Sequence, residues 1–163
     1  MSFRTPFPSI PRRAALFGLL ALGGCGLTPV YGTNGNGTAL RGAVSFTVPD
    51  TVAGYRLRER FIKRLGDTEL ARYSLSVALT QETSAATIAL DGDTTRFNLI
   101  GSADYVLTDA SGKTILSDSV ETFTSYSATG STVATQAAQV DANARLSVAL
   151  ADLMVARLLL LSQ

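Results

Sequence analysis

The 163 residues contain no His, no Trp and a single Cys, with 14 Lys and Arg against 13 Asp and Glu for a formal charge of +1. The length points to one domain, and the lone Cys excludes an intramolecular disulfide. The absence of His removes the commonest general base, the commonest metal ligand and every Ser-His or Cys-His nucleophile arrangement.

Residues 1–24 read as a lipoprotein signal peptide. A basic start ends at Arg12-Arg13, an apolar run follows from Ala14 to Leu22, and small residues close it at Gly23-Gly24. The run is too short to span a bilayer, which takes roughly 20 apolar residues. Removing its three arginines, Arg4, Arg12 and Arg13, from the 14 basic residues leaves 11 against 13 acidic, a charge of −2. A slightly acidic remainder gives no electrostatic case for nucleic acid.

Leu22-Gly23-Gly24-Cys25 resembles the lipobox of bacterial lipoproteins. That resemblance implies alkylation of the Cys25 thiol with diacylglycerol, cleavage before it, and acylation of the freed amine, palmitate being the usual chain. At about 0.8 kcal/mol per buried CH₂, one chain anchors marginally and three anchor firmly. The alternative for Cys25 is a buried free thiol. Arg12-Arg13 fits either a twin-arginine export signal or the basic start of a general secretory one, and Gly26, in place of a retention Asp, points to the outer membrane.

Residues 25–40 read as a lipidated N-terminus and flexible tether, with Gly and Asn crowded between Thr33 and Thr38. The folded domain is expected over 41–163. Val44, Phe46 and Val48 alternate with Ser45 and Thr47, a short strand stopped by Pro49. Asp50 or Thr51 can cap a helix whose Leu57, Phe61 and Leu65 recur every four residues until Gly66 ends it. Tyr73, Leu75, Val77 and Leu79 mark a half-buried strand. After a break at Asp91-Gly92-Asp93, Phe97, Leu99, Ala103, Tyr105 and Leu107 mark a second. Asp109 to Lys113 reads as a hairpin turn into a third, more polar strand, Thr114 to Tyr126, suited to a sheet edge.

From Ser131 to Leu160 there is no Gly or Pro, and Ala137, Val140, Ala144, Val148, Ala151, Val155 and Leu158 recur at heptad-like spacing. This is one long helix whose charges keep it out of a bilayer, with Leu146, Leu150 and Leu153 widening its apolar stripe. The expected fold is α+β: a roughly four-stranded sheet with two helices packed on one face, in the order β-α-β-β-β-α.

No catalytic, cofactor or metal site emerges. Asp91-Gly92-Asp93 lacks the remaining calcium ligands and reads as a turn, no Gly-rich loop joins a strand to a helix, and Ser and Thr have no activating partner. Asp104, Asp118 and Glu121 leave paired-carboxylate chemistry only formally open. The densest basic cluster, Arg56, Arg58, Arg60, Lys63 and Arg64, is either a solvated helix face or a ligand-contacting one.

Cys25-Gly26-Leu27-Thr28-Pro29-Val30-Tyr31-Gly32 resembles the Cys-Gly-Phe-x-Pro-Leu-Tyr-Gly opening of mature LptE, the lipopolysaccharide-assembly lipoprotein family, in its alphaproteobacterial branch. The Leu57-Arg58-Glu59-Arg60-Phe61 helix, Tyr73 to Val77, Asp91-Gly92, Tyr105 to Asp109 before Gly112-Lys113, and the closing helix resemble it in order. The resemblance implies a non-enzymatic outer-membrane lipoprotein that plugs the LptD β-barrel, helps assemble it and assists lipopolysaccharide insertion into the outer leaflet. In some relatives a basic residue before the Asp91-Gly92 turn is implicated in contact with the glycolipid. Here Leu90 holds that place, so Arg96 is one candidate contact, and Arg56, Arg60 and Arg64, suited to bidentate phosphate pairing, are another. The rival reading is an independent periplasmic lipoprotein binding a small amphiphile between helices and sheet.

Overall fold

The computed structural model describes residues 37–88, 94–128 and 131–161. Cys25, Leu90 and the Asp91-Gly92-Asp93 break lie outside them. In chain order the elements are a helical turn α1 (Gly37–Leu40), β1 (Val44–Thr47), α2 (Val52–Leu65), β2 (Tyr73–Ile88), β3 (Thr94–Asp109), β4 (Thr114–Ser127) and α3 (Thr132–Leu161). The strands form one sheet in the order β1-β2-β3-β4, with β1 parallel to β2 and the other pairings antiparallel. This is the expected α+β architecture. The addition is α1, whose residues belong to the stretch read as tether and whose Leu40 is buried in the core.

Period-two alternation builds the sheet. Register puts Phe46, Leu75, Leu107 and Leu116 across one face, followed by Val77 with Tyr105 and by Leu79, Ala103 and Val120. These meet Leu57, Phe61 and Leu65 of α2 and Leu146, Leu150, Met154 and Leu158 of α3 in a single core. Phe46 and Phe61 stack with ring centroids 5.2 Å apart, a geometry worth about 1 kcal/mol beyond area burial. The other face keeps Ser74, Ser76, Ser102, Asp104, Ser117, Ser119 and Glu121, and no described helix packs on it.

Local chemistry fixes the ends of α2. Thr51, in extended backbone, caps it by accepting from the Gly54 N–H at 3.1 Å, and Gly66 ends it at φ 86°. Gly54 itself has no room for a side chain, since a Cβ there would collide with the Pro49 carbonyl oxygen. On β3 a Cβ at Gly101 would lie 2.9 Å from Leu146 Cδ2, so this glycine lets α3 approach the sheet.

The long helix departs from its expected stripe in its first half; in the second, Ala151, Val155 and Leu158 are buried as expected, while Leu153 is 40% exposed. Ala137 and Val140 are exposed and Ala144 and Val148 only half-buried, whereas Ala142, Leu146, Leu150, Met154 and Leu158 are fully buried. Two apolar stripes run along α3. The branched, bulkier one lies on the sheet because it buries more apolar area, and the Ala-rich one turns towards α2.

Candidate functional site

Two members of the basic cluster of α2, Arg60 and Arg64, face α3, whereas Arg56, Arg58 and Lys63 are exposed. Arg60 donates twice to Asp152, Nε to Oδ1 at 3.0 Å and Nη2 to Oδ2 at 2.7 Å, and Arg64 Nε approaches the same carboxylate at 3.8 Å. This bidentate fork raises the Arg60 pKa, first through the hydrogen bond to Asp152. Arg58 donates to the Phe46 carbonyl at 3.2 Å, tying α2 to β1. Arg56, half-exposed, has Glu59 at 3.7 Å as its ion-pair partner among the described residues, an exposed pair of small energetic weight. Of the three arginines proposed to meet an anionic ligand, Arg60 and Arg64 therefore hold the helices together, and Arg56 retains the freest guanidinium.

Arg96 is placed elsewhere. It sits near the start of β3 opposite Ser127, is exposed, and falls by register on the face away from the helices. The structure does not bring it together with Arg56, Arg60 or Arg64, so the two basic candidates address different sides of the molecule.

A second polar cluster joins sheet to helix. The Tyr105 hydroxyl donates to Asp118 Oδ2 at 3.2 Å, and Arg157 Nη1 lies 3.8 Å from the same oxygen. Burial, then the Asp118 charge, pushes the Tyr105 pKa up to about 12. A phenol held this firmly protonated acts as a strut and not as a base at neutral pH. The three carboxylates of strand residues 104, 118 and 121 do not converge: Asp104 and Glu121 lie on the bare face, and Asp118 on the core face. Among the described residues no group of three metal-ligating side chains occurs, and no described helix is long and apolar enough to cross a membrane.

A cavity of about 460 Å³ lies between the start of α2, the middle of α3 and β2, in the region where the rival reading places an amphiphile, though the sequence did not single out its lining residues. Its one signal was the exposed half of the α3 heptad pattern, Val140 and Ala144, which lines it.

The LptE family model, lipopolysaccharide-assembly, matches residues 32–158. No curated protein matches. Among solved structures, a candidate lipoprotein of Caulobacter crescentus CB15 superposes with a TM-score of 0.64 at 24% identity, over 76% of this chain and 92% of that one. Rare lipoprotein B of Shewanella oneidensis gives 0.57 at 15% identity, over 71% and 92%. A minor lipoprotein of Acinetobacter baumannii gives 0.56 at 17%, over 72% and 90%. At these identities the structural likeness speaks for the fold.

Proposed function

Because the chain belongs to the LptE lipopolysaccharide-assembly family, we propose that it is a non-catalytic lipoprotein that plugs an LptD-like outer-membrane β-barrel, helps it assemble, and assists placement of lipopolysaccharide in the outer leaflet. The observation that carries this reading is a family match running from residue 32 to 158, through every described strand and most of α3. In this proposal residues 1–24 are the export signal, Cys25 is the acylated anchor on the periplasmic side, residues 25–40 link it to the fold, and 41–163 form the plug.

The two faces of the sheet support such a role. A wide barrel encloses a polar lumen that other proteins fill with a plug. One face of this sheet is closed by its own helices, and the other offers Ser, Thr and carboxylates at strand spacing, a surface suited to a wet, polar wall. Arg96 and Arg56 are the proposed contacts to anionic glycolipid, on opposite sides, with Arg60 and Arg64 positioning α2.

Affinity purification from outer membranes, with mass spectrometry of the co-purifying barrel and of the N-terminal peptide, tests partner and anchor together. An LptD-like barrel in stoichiometric yield and a triacylated Cys25 peptide are expected. Depletion of the protein is expected to remove mature barrel and surface lipopolysaccharide. If both persist after depletion, the plug reading fails and the independent amphiphile-binding lipoprotein takes its place.

A further inference from the structure

The cavity between α2, α3 and β2 is walled mainly by apolar groups, Val52, Ala53, Leu79, Val140 and Ala144 among them. Its volume falls within the range of about 300–1,000 Å³ typical of small-molecule sites, towards the lower end, which suits one chain rather than several. The polar groups at the cavity are not placed at random. Gln81 Nε2 is enclosed and has no hydrogen-bond partner among the described residues, and a buried amide donor left unpaired costs stability. Arg56 is the one charged residue in the lining. The first turn of α2 borders the cavity as well and holds no acidic residue, Asp50 standing just before its Thr51 cap.

The lining therefore combines an apolar body, an unused neutral donor, a guanidinium and a helix N-terminus, with no carboxylate. A cationic ligand finds no counter-charge. A neutral hydrocarbon leaves Gln81 unpaired, and a bulky multi-anionic headgroup meets only one arginine. A carboxylate offers two acceptor oxygens, enough to serve Gln81 and Arg56 at once, and a long alkyl tail fills the remainder.

We infer that this cavity binds a single-chain fatty carboxylate, tail along the Val52–Val140 walls and head against Arg56, Gln81 and the start of α2. The site is lined by one chain alone and does not depend on the barrel partnership proposed above, so loss of barrel co-purification leaves it standing.

Membranes holding the full chain can be incubated with a diazirine-bearing palmitate, irradiated, and mapped by mass spectrometry. Saturable labelling is expected in peptides covering residues 49–56 and 140–147, displaced by excess palmitate at least ten times more effectively than by hexadecanol. Ala144→Trp, which fills the cavity, is expected to cut labelling at least tenfold. Should its thermal midpoint fall, Val140→Trp at the exposed rim serves in its place. Arg56→Gln with Gln81→Leu is expected to abolish the preference for palmitate over hexadecanol while keeping residual labelling. Labelling confined to residues 1–36, indifference to both Trp variants, equal competition by hexadecanol, or stronger competition by a lysophospholipid than by palmitate would each overturn the assignment.

Discussion

Strands β2 to β4 present two faces built from alternate residues of the same segments, and the two are spent differently. One face, from Leu75 and Val77 across Ala103 and Tyr105 to Val120, is closed under both long helices. The other carries Ser, Thr and scattered acids, with Ile100 and Phe123 as a cross-strand apolar pair, 37% and 67% exposed. A single small apolar pair of this kind is ordinary on a protein surface. The contrast teaches that stability and contact with the surroundings are separated here by one-residue alternation, so a substitution's effect is set by its parity along the strand more than by its side chain's size.

The sharpest way to break the contrast is at the closed face. Leu150→Ala, at a fully buried position touching the space above Gly101, is expected to cost about 2–5 kcal/mol, read as a lowered urea midpoint with unchanged slope. Gly101→Val drives a branched side chain into Leu146 and Leu150 from the sheet side. A loss of about 1–3 kcal/mol is expected, partly recovered by Leu146→Ala in the double variant.

Next comes the strut between the closed face and α3. Tyr105→Phe removes one hydrogen bond to Asp118, for an expected loss of about 1 kcal/mol at pH 7. Its pH signature is more telling. The folded pKa is raised from 10.0 to about 12, so the unfolded chain releases this proton first. The stabilisation is complete below pH 10 and declines as pH rises through 12. The difference in thermal midpoint between the parent and Tyr105→Phe should shrink across that window, and a difference that stays constant would show that burial does not hold the phenol protonated. The smallest effect belongs to the bare face: Phe123→Ser is expected to move stability by no more than about 0.5 kcal/mol. A fall of several kcal/mol there would erase the distinction between the faces.

Much of the scaffold was legible in advance because its signals are local. The Thr51 cap, the Gly66 stop and the Asp109 turn, where one carboxylate accepts from the Ser111 and Lys113 N–H groups, depend on residues within a few positions of each other. The two core strands were legible from Tyr73 to Leu79 and from Phe97 to Leu107 by alternation alone. The candidate site was far less so. Arg60 and Asp152 lie 92 residues apart, and nothing in the spacing of either announces the other. The arginines looked like a free cationic face until α3 was laid beside them.

The amino-acid sequence by itself determined the order and kind of the elements, the single core and the resemblance to a lipopolysaccharide-assembly lipoprotein, because periodicity, caps and turn chemistry act over a few residues. Only the tertiary structure decided which of the two apolar stripes of α3 meets the sheet, that Gly54 and Gly101 are small to admit Pro49 and Leu146, and that a cavity remains above Gln81. Those outcomes depend on how surfaces from distant segments fit in three dimensions, where close packing admits one arrangement and leaves its gaps where the shapes do not match.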